Sequence, residues 1–296
     1  MCHHKAPHRP WDPDEKHAHM YDDIEIPEPE TINDDYSNRA YAATEAAMRI
    51  DQDLNDEDLK GRIPPANLSS AELKSWKYQK YIKDYLRCVA SIDDNVGRLL
   101  DYLDMEGIAD NTIVIYTSDQ GFFLGDHGWY DKRFMYEESL RMPFIVRYPR
   151  EIKPGTVQDS MALNVDFAET FLDYAGLPIP EDMQGYSLRP LMEERTPKDW
   201  RTSMYYRYWE HLSLPHKVGA HYGLRTERYK LVYYYGEALG SKGAIDESRT
   251  PEWELFDLEK DPMELNSVYD DPDYQEVLKE LKQELDRLKF ELKDTK

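Results

Sequence analysis

A helix-length amphipathic stretch that runs almost directly into a β-branched strand is the feature that most narrows what this chain can fold into. Ser69 followed three residues later by Glu72 fits a capping box, and Gly107 is a natural terminator. Between them Trp76, Tyr81, Tyr85, Val89, Ile92, Val96, Leu99 and Leu103 recur at spacings of three, four or five, one apolar stripe on a helix from about Glu72 to Met105. Cys88 lies beside that stripe and reads as a small buried hydrophobe. Thr112 to Thr117 then reads Thr-Ile-Val-Ile-Tyr-Thr, continuous rather than alternating, the pattern of a strand buried on both faces of an α/β sheet. Met142 to Tyr148 is a second such strand, expected to neighbour the first in a largely parallel sheet, and Val165 to Tyr174 is a second helix that packs Phe167, Phe171 and Leu172.

The rest of the chain has a different texture on each side. Residues 1 to about 68 carry Pro7, Pro10, Pro13, Pro27, Pro29, Pro64 and Pro65 between acidic stretches, which implies irregular excursions around one short helix from about Asn38 to Met48. After about residue 190, Tyr205 to Trp209, Tyr222 to Arg225, Tyr229 to Tyr235 and Trp253 to Asp257 read as a small antiparallel sheet. A final amphipathic helix carries Tyr274, Val277, Leu278, Leu281, Leu285 and Leu288. This divides the chain into an α/β domain over 1–190 and a small antiparallel subdomain with a terminal helix over 191–296.

Charge and composition bound the function. With 37 Lys and Arg against 59 Asp and Glu the net charge is −22, and no basic run exceeds two residues, so nucleic acid is not an expected partner. No apolar run approaches the roughly 20 residues of a membrane span, and no charged-then-apolar targeting segment opens the chain. The acidic run from Asp51 to Asp58 fails as an EF-hand loop, because its sixth and twelfth positions are Asp56 and Arg62 instead of Gly and Glu.

Ligands of open α/β sheets bind beyond the carboxyl ends of strands. Immediately after Thr117 stand Ser118-Asp119-Gln120-Gly121, where Asp119 and Gln120 are hard oxygen donors suited to calcium or magnesium. Asp126, His127 and Lys132 follow on a loop that carries Gly125 and Gly128, placing a cation next to such a metal. The opening segment MCHHKAPHRPW adds His4, Lys5, His8 and Arg9 around Pro7 and Pro10, a prolyl frame suited to anion recognition. Zinc is the rival reading there, with Cys2, His3, His8, His17 and His19 as possible ligands, although they match no spaced zinc signature.

The stretch YTSDQGFFLGDHGWYDKRFMYEESLRMPFIVRYP from Tyr116 to Pro149 resembles the sulfatase family, and Lys5 to Pro10 is similar to that family's histidine-bearing segment. The strand pair over Gly223 to Leu231 and the segment Glu254 to Asn266 extend the resemblance across essentially the whole chain, to the type of the bacterial glycan sulfatases. The resemblance implies an alkaline-phosphatase/sulfatase-like mixed sheet sandwiched by helices, with its N-terminal part missing, plus the small C-terminal antiparallel sheet and helix. It implies a sulfuric ester hydrolase acting on a sulfated glycan or oligosaccharide, with Asp119 and Gln120 as two calcium ligands of a partial site. His8 and Lys132 resemble the pair that holds the sulfate and assists departure of the sugar oxygen, with His127 a neighbouring catalytic-pocket residue. The full-length form is expected in the periplasm or secreted.

The family's cysteine in Cys-x-Pro/Ala-x-Arg, the precursor of formylglycine, has no counterpart: Cys2 is followed by His3-His4-Lys5-Ala6 and Cys88 by Val89-Ala90-Ser91-Ile92. The family's first metal-binding aspartate pair is also not found, since Asp22-Asp23, Asp34-Asp35 and Asp93-Asp94 follow no buried strand. The expectation is a truncated sulfatase, almost inactive alone, that binds calcium weakly and self-associates through an incomplete sheet. A phosphodiesterase or phosphatase of the same superfamily and a non-catalytic glycan-binding fragment are the alternatives. His211, His216 and His221, beside Tyr205, Tyr206, Tyr208 and Trp209, are expected to line the mouth of the pocket and contact sugar hydroxyls.

Overall fold

The long helix forms as its caps dictate. In a computed structural model that describes residues 1–295, α2 spans Ser70–Met105, after α1, a single turn at Tyr41–Glu45. The Ser69 hydroxyl accepts from Glu72 N while the Glu72 carboxylate accepts from Ser69 N, and Gly107 at φ 67° ends the helix. Its first two-thirds bury Tyr78, Tyr81, Ile82, Cys88 and Ile92, whereas Leu99, Tyr102 and Met105 face solvent, so the stripe read through Leu103 is a core face only as far as Ile92.

The chain divides into two units, and the division does not follow the expected boundary near residue 190. The first comprises Met1–Asp35, Ala46–Thr112 and Phe122–Lys132; the second comprises Tyr36–Glu45, Ile113–Gly121 and Arg133–Lys296. In the first unit the proline-rich excursions wrap α2. Trp11, Ile32, Ile50, Leu54 and Leu59 join Tyr78, Tyr81, Ile82 and Cys88 in one core, and the hairpin of β2 (Phe123–Leu124) and β3 (Tyr130–Asp131) closes it through Tyr130.

In the second unit β1 (Val114–Thr117) pairs with β4 (Phe144–Arg147), Val114 opposite Arg147 and Thr117 opposite Phe144. These are the two strands read from sequence, and they are neighbours, but they run antiparallel instead of parallel, and neither is buried on both faces. The connection between them carries the β2–β3 hairpin and the single-turn α3 (Glu137–Leu140), and none of these is the long crossover helix that usually joins a parallel pair. Ile145 is 63% exposed. Helix α4 (Asp166–Tyr174) stacks Phe167 on Phe144 but leaves Phe171 half exposed, and the single-turn α5 (Arg189–Met192) follows.

The C-terminal sheet matches its reading closely. Strands β5 (Ser203–Tyr208), β6 (His221–Thr226), β7 (Tyr229–Tyr234) and β8 (Glu252–Asp257) form a four-stranded antiparallel meander. The register aligns Tyr205, Leu224, Leu231 and Leu255 on one face, which α6 (Gln275–Glu291) covers with Leu278, Leu281, Leu285 and Leu288. The opposite face aligns Tyr206, Gly223, Val232 and Glu254, flanked by His221 and Lys230, and receives chain segments from earlier in the sequence. No helix among the described residues is long and apolar enough to cross a membrane.

Candidate active site

Strand β1 delivers Ser118 and Asp119 to its carboxyl end. The Ser118 hydroxyl donates to Asp119 Oδ1 (3.3 Å), Asn164 Nδ2 donates to the Asp119 carbonyl (3.4 Å), and the Asp119 carboxylate is exposed. Gln120 leads into Gly121, whose N–H donates to the Ser139 carbonyl (2.9 Å). A Cβ at Gly121 would lie 2.1 Å from the Glu138 carbonyl oxygen and 2.4 Å from that of Arg141, so only glycine lets this turn press against α3.

In the first unit, Gly125 at φ 109° backs onto the Tyr78 ring, where a Cβ would stand 2.6 Å from it, and starts the turn that carries His127. His127 is fully buried: its Nδ1 is 2.9 Å from Asp34 Oδ2, its backbone N–H donates to Thr31 Oγ1 (2.9 Å), and its ring lies between Phe123 and Trp129. A histidine so enclosed pins the loop to the excursion that bears Thr31 and Asp34. Lys132 differs. Its side chain retains 17% exposure, with Nζ 3.8 Å from Asp131 Oδ1 and 5.8 Å from the centre of the Phe122 ring.

The N-terminal segment is anchored by two residues that follow His8. Trp11 is wholly buried against Tyr81 and Tyr130, and Arg9 forks onto Asp58 through Nε and Nη2 (2.9 and 2.5 Å) while its guanidinium lies over Tyr130. Just before those anchors His8 is exposed, and its Nδ1–H donates to the Arg9 carbonyl oxygen (2.9 Å), which leaves Nε2 free of that bond. His8 and Lys132 thus share one unit, whose core also packs Ala6 and Phe122; Asp119 and Gln120 belong to the other.

The three C-terminal histidines do not line an opening. His211 is fully buried; Ala220 N–H donates to its Nδ1 (3.1 Å), which leaves the proton on Nε2 to donate to the Glu247 carbonyl (2.9 Å). His216 is buried as well. His221 is enclosed by Phe134, Tyr206, Tyr208 and Tyr234, its Nδ1–H donates to the Gly219 carbonyl (2.8 Å), and burial pushes its pKa down to about 4. Both ring nitrogens of His211 are taken by backbone nine and 36 residues away, so it closes a loop instead of reading a sugar. His211→Ala should therefore destabilise the protein by about 1–3 kcal/mol through the stranded Ala220 and Glu247 groups. Thermal unfolding measures this, and an unchanged melting temperature would return His211 to ligand recognition.

Comparison with known proteins accounts for this arrangement. Residues 1–177 match the sulfatase family model, and residues 125–291 match that of the N-sulphoglucosamine sulphohydrolase C-terminal region. The chain is 42% identical over 335 residues to an N-acetylglucosamine-6-O-sulfatase of Bacteroides thetaiotaomicron, covering 99% of this chain and 58% of that protein. The chain belongs to the sulfatase family. A Clostridium perfringens arylsulfatase is 30% identical over 276 residues, covering 91% of this chain and 49% of its own length. A solved complex with the substrate D-glucosamine-2-N,6-O-disulfate superposes with a TM-score of 0.89 at 42% identity, over 98% of this chain and 65% of that one. This sulfatase chain therefore spans about half the length of the curated relatives it matches.

The calcium that the family implies finds few ligands here. Among the described residues no group of three or more His, Cys, Asp or Glu side chains is arranged to hold a metal ion, and Asp119 and Gln120 offer two side-chain oxygen donors where calcium takes 6–8 oxygens. The residues present do not build the site. The zinc reading of the N-terminus meets the same geometry: His17 pairs with Asp14 and His19 with Asp22. Sequence reasoning named Asp34 and Asp58 only within acidic stretches and did not foresee that they hold His127 and Arg9, because those pairings are long-range and leave no local pattern.

Proposed function

We propose that this chain serves the hydrolysis of a sulfate ester on a glucosamine-type sugar, at the 6-O position, as a sulfatase. The similarity over 99% of the chain to an N-acetylglucosamine-6-O-sulfatase carries that reading. In it, Lys132 supplies a half-shielded ammonium and His8 an exposed imidazole to the sulfate monoanion. As the S–O bond lengthens, negative charge moves to the bridging oxygen, where these donors oppose it. With the His8 Nδ1–H donating to the Arg9 carbonyl, it is Nε2 that, when protonated, gives its proton to the leaving sugar oxygen.

The nucleophile lies outside this chain's own chemistry. Cys88 is buried within α2 and burial pushes its thiol up to about 11, and neither cysteine stands in a Cys-x-Pro/Ala-x-Arg context. In the family, formylglycine supplies the attacking oxygen. Asp119 and Gln120 would offer two oxygen donors to a calcium ion, and among the described residues no metal-holding group of carboxylates and histidines completes its shell. Titration with glucosamine 6-sulfate and glucosamine 6-phosphate, followed by ligand-observed NMR, tests the substrate class. The sulfate ester should compete out the phosphate ester, with no sulfate released by this chain alone; preference for the phosphate would favour a phosphatase, and release of sulfate would reveal a nucleophile here.

A further inference from the structure

Lys132 stands between two non-glycine residues in left-handed backbone, Asp131 at φ 75° and Arg133 at φ 103°. Aspartate tolerates that region, but arginine does not favour it, and such a conformation persists only where surrounding contacts over-determine it. The contacts that hold Arg133 are explicit. Its N–H donates to Ser139 Oγ (3.1 Å), and its carbonyl accepts from the Tyr206 hydroxyl (3.1 Å). Both peptide groups that flank the strained Cα are therefore fixed from outside the segment.

Each of the two partners is itself held. The Tyr206 ring stacks on the buried His221 at 5.7 Å, and Phe134 stacks on that same imidazole at 6.1 Å. Burial pushes the Tyr206 pKa up to about 12, which keeps its hydroxyl a donor. Ser139 is buried, and its carbonyl accepts the Gly121 N–H, so one residue ties the Asp119-Gln120-Gly121 turn to the peptide that follows Lys132. The next residues continue the grip: Met135 Sδ lies over Gly223, where a Cβ would come within 2.8 Å of it, and the Tyr136 hydroxyl reaches Glu254.

We infer that Tyr206 and Ser139 are positioning residues of the sulfate-holding lysine: by clamping the strained Arg133 peptide they set the direction from which Lys132 presents its ammonium. This rests on the proposed role of Lys132. It gives the C-terminal sheet a part in the chemistry through Tyr206.

The test reads Lys132 directly. Lysines of the whole chain are reductively dimethylated with ¹³C, which keeps their charge, and the Lys132 methyl resonance is assigned by its loss in Lys132→Arg. Ring current from Phe122 should displace that resonance from those of exposed lysines. Tyr206→Phe and Ser139→Ala should each collapse the displacement, while Tyr233→Phe, on the opposite sheet face against Trp253, should preserve it. In Tyr206→Phe the affinity for glucosamine 6-sulfate should also fall about fivefold, as expected for one lost hydrogen bond. A Lys132 resonance unmoved in Tyr206→Phe overturns the inference, and that conservative variant decides even if Ser139→Ala fails to fold. If wild-type protein ignores the sulfated sugar but its Lys132 resonance responds as stated, the proposed function falls and the positioning role stands.

Discussion

Lys230→Ala should lower the unfolding free energy by about 3–5 kcal/mol, because it leaves carboxylates buried without their cation. Lys230 is completely enclosed on β7, with Nζ 2.6 Å from Glu264 Oε1 and 3.0 Å from Glu137 Oε1, and Glu264 Oε2 in turn accepts the Glu137 N–H. Burial works against ionisation of Glu137, but Lys230 and Arg225 outweigh it and hold that carboxylate down to about 2. Arg225 stays paired with Glu137 in the variant, so the full penalty falls on Glu264. Denaturant unfolding gives the value. Lys230→Met combined with Glu264→Gln should recover much of the loss, since removing both charges also removes the desolvation that the pair compensates. A loss below about 1 kcal/mol in Lys230→Ala would mean that the cluster is solvated and does not lock α3 to the sheet.

The second large effect is a pair of opposed pH dependences on the same sheet face. Glu254 is fully buried and accepts from Ala40 N–H (2.8 Å) and the Tyr234 hydroxyl (3.0 Å); burial raises its pKa to about 7 against those donors. The folded state then keeps a proton that the unfolded chain releases above about 4.5, so stability falls as pH rises from 4.5 to 7. For His221 the folded pKa is lowered from 6.5 to about 4, so the unfolded chain takes the proton first and stability falls as pH drops from 6.5 to 4. Each of these displacements corresponds to about 3 kcal/mol. Over their common window the two slopes cancel in the wild type. Glu254→Gln mimics the protonated acid, so the variant should match the wild type near pH 4 and exceed it by up to about 3 kcal/mol at pH 8. Its own profile should then show the rise from pH 4 to 6.5 that belongs to His221. A constant difference between the two proteins across pH would show that Glu254 ionises normally.

What could be read from the residues depended on how local the cause was. The capping box of Ser69 and Glu72 and the leucine spacing of α6 act within a turn or two, and both elements formed where the pattern placed them. The β-branched run at Thr112 to Thr117 marked a strand but not its direction, because an apolar run reports burial and carries no sign of whether its partner runs parallel. His211 and His221 looked available because they border a polar loop; the groups that enclose them, Glu247 and Phe134 among them, come from segments 36 and 87 residues away. Arg133 is the sharpest case. Glycine or asparagine at that position would have signalled a left-handed residue, and arginine conceals it.

The most direct test of the sulfatase reading is saturation-transfer NMR of the chain with D-glucosamine 6-sulfate and with unsulfated D-glucosamine, repeated on Lys132→Ala and His8→Ala. The wild type should give saturable transfer to the sulfated sugar alone, and each variant should weaken that binding about tenfold or more, as loss of a charge-assisted contact to the sulfate requires. Equal binding of the two sugars, or a sulfate preference that survives in Lys132→Ala and His8→Ala alike, would contradict the account.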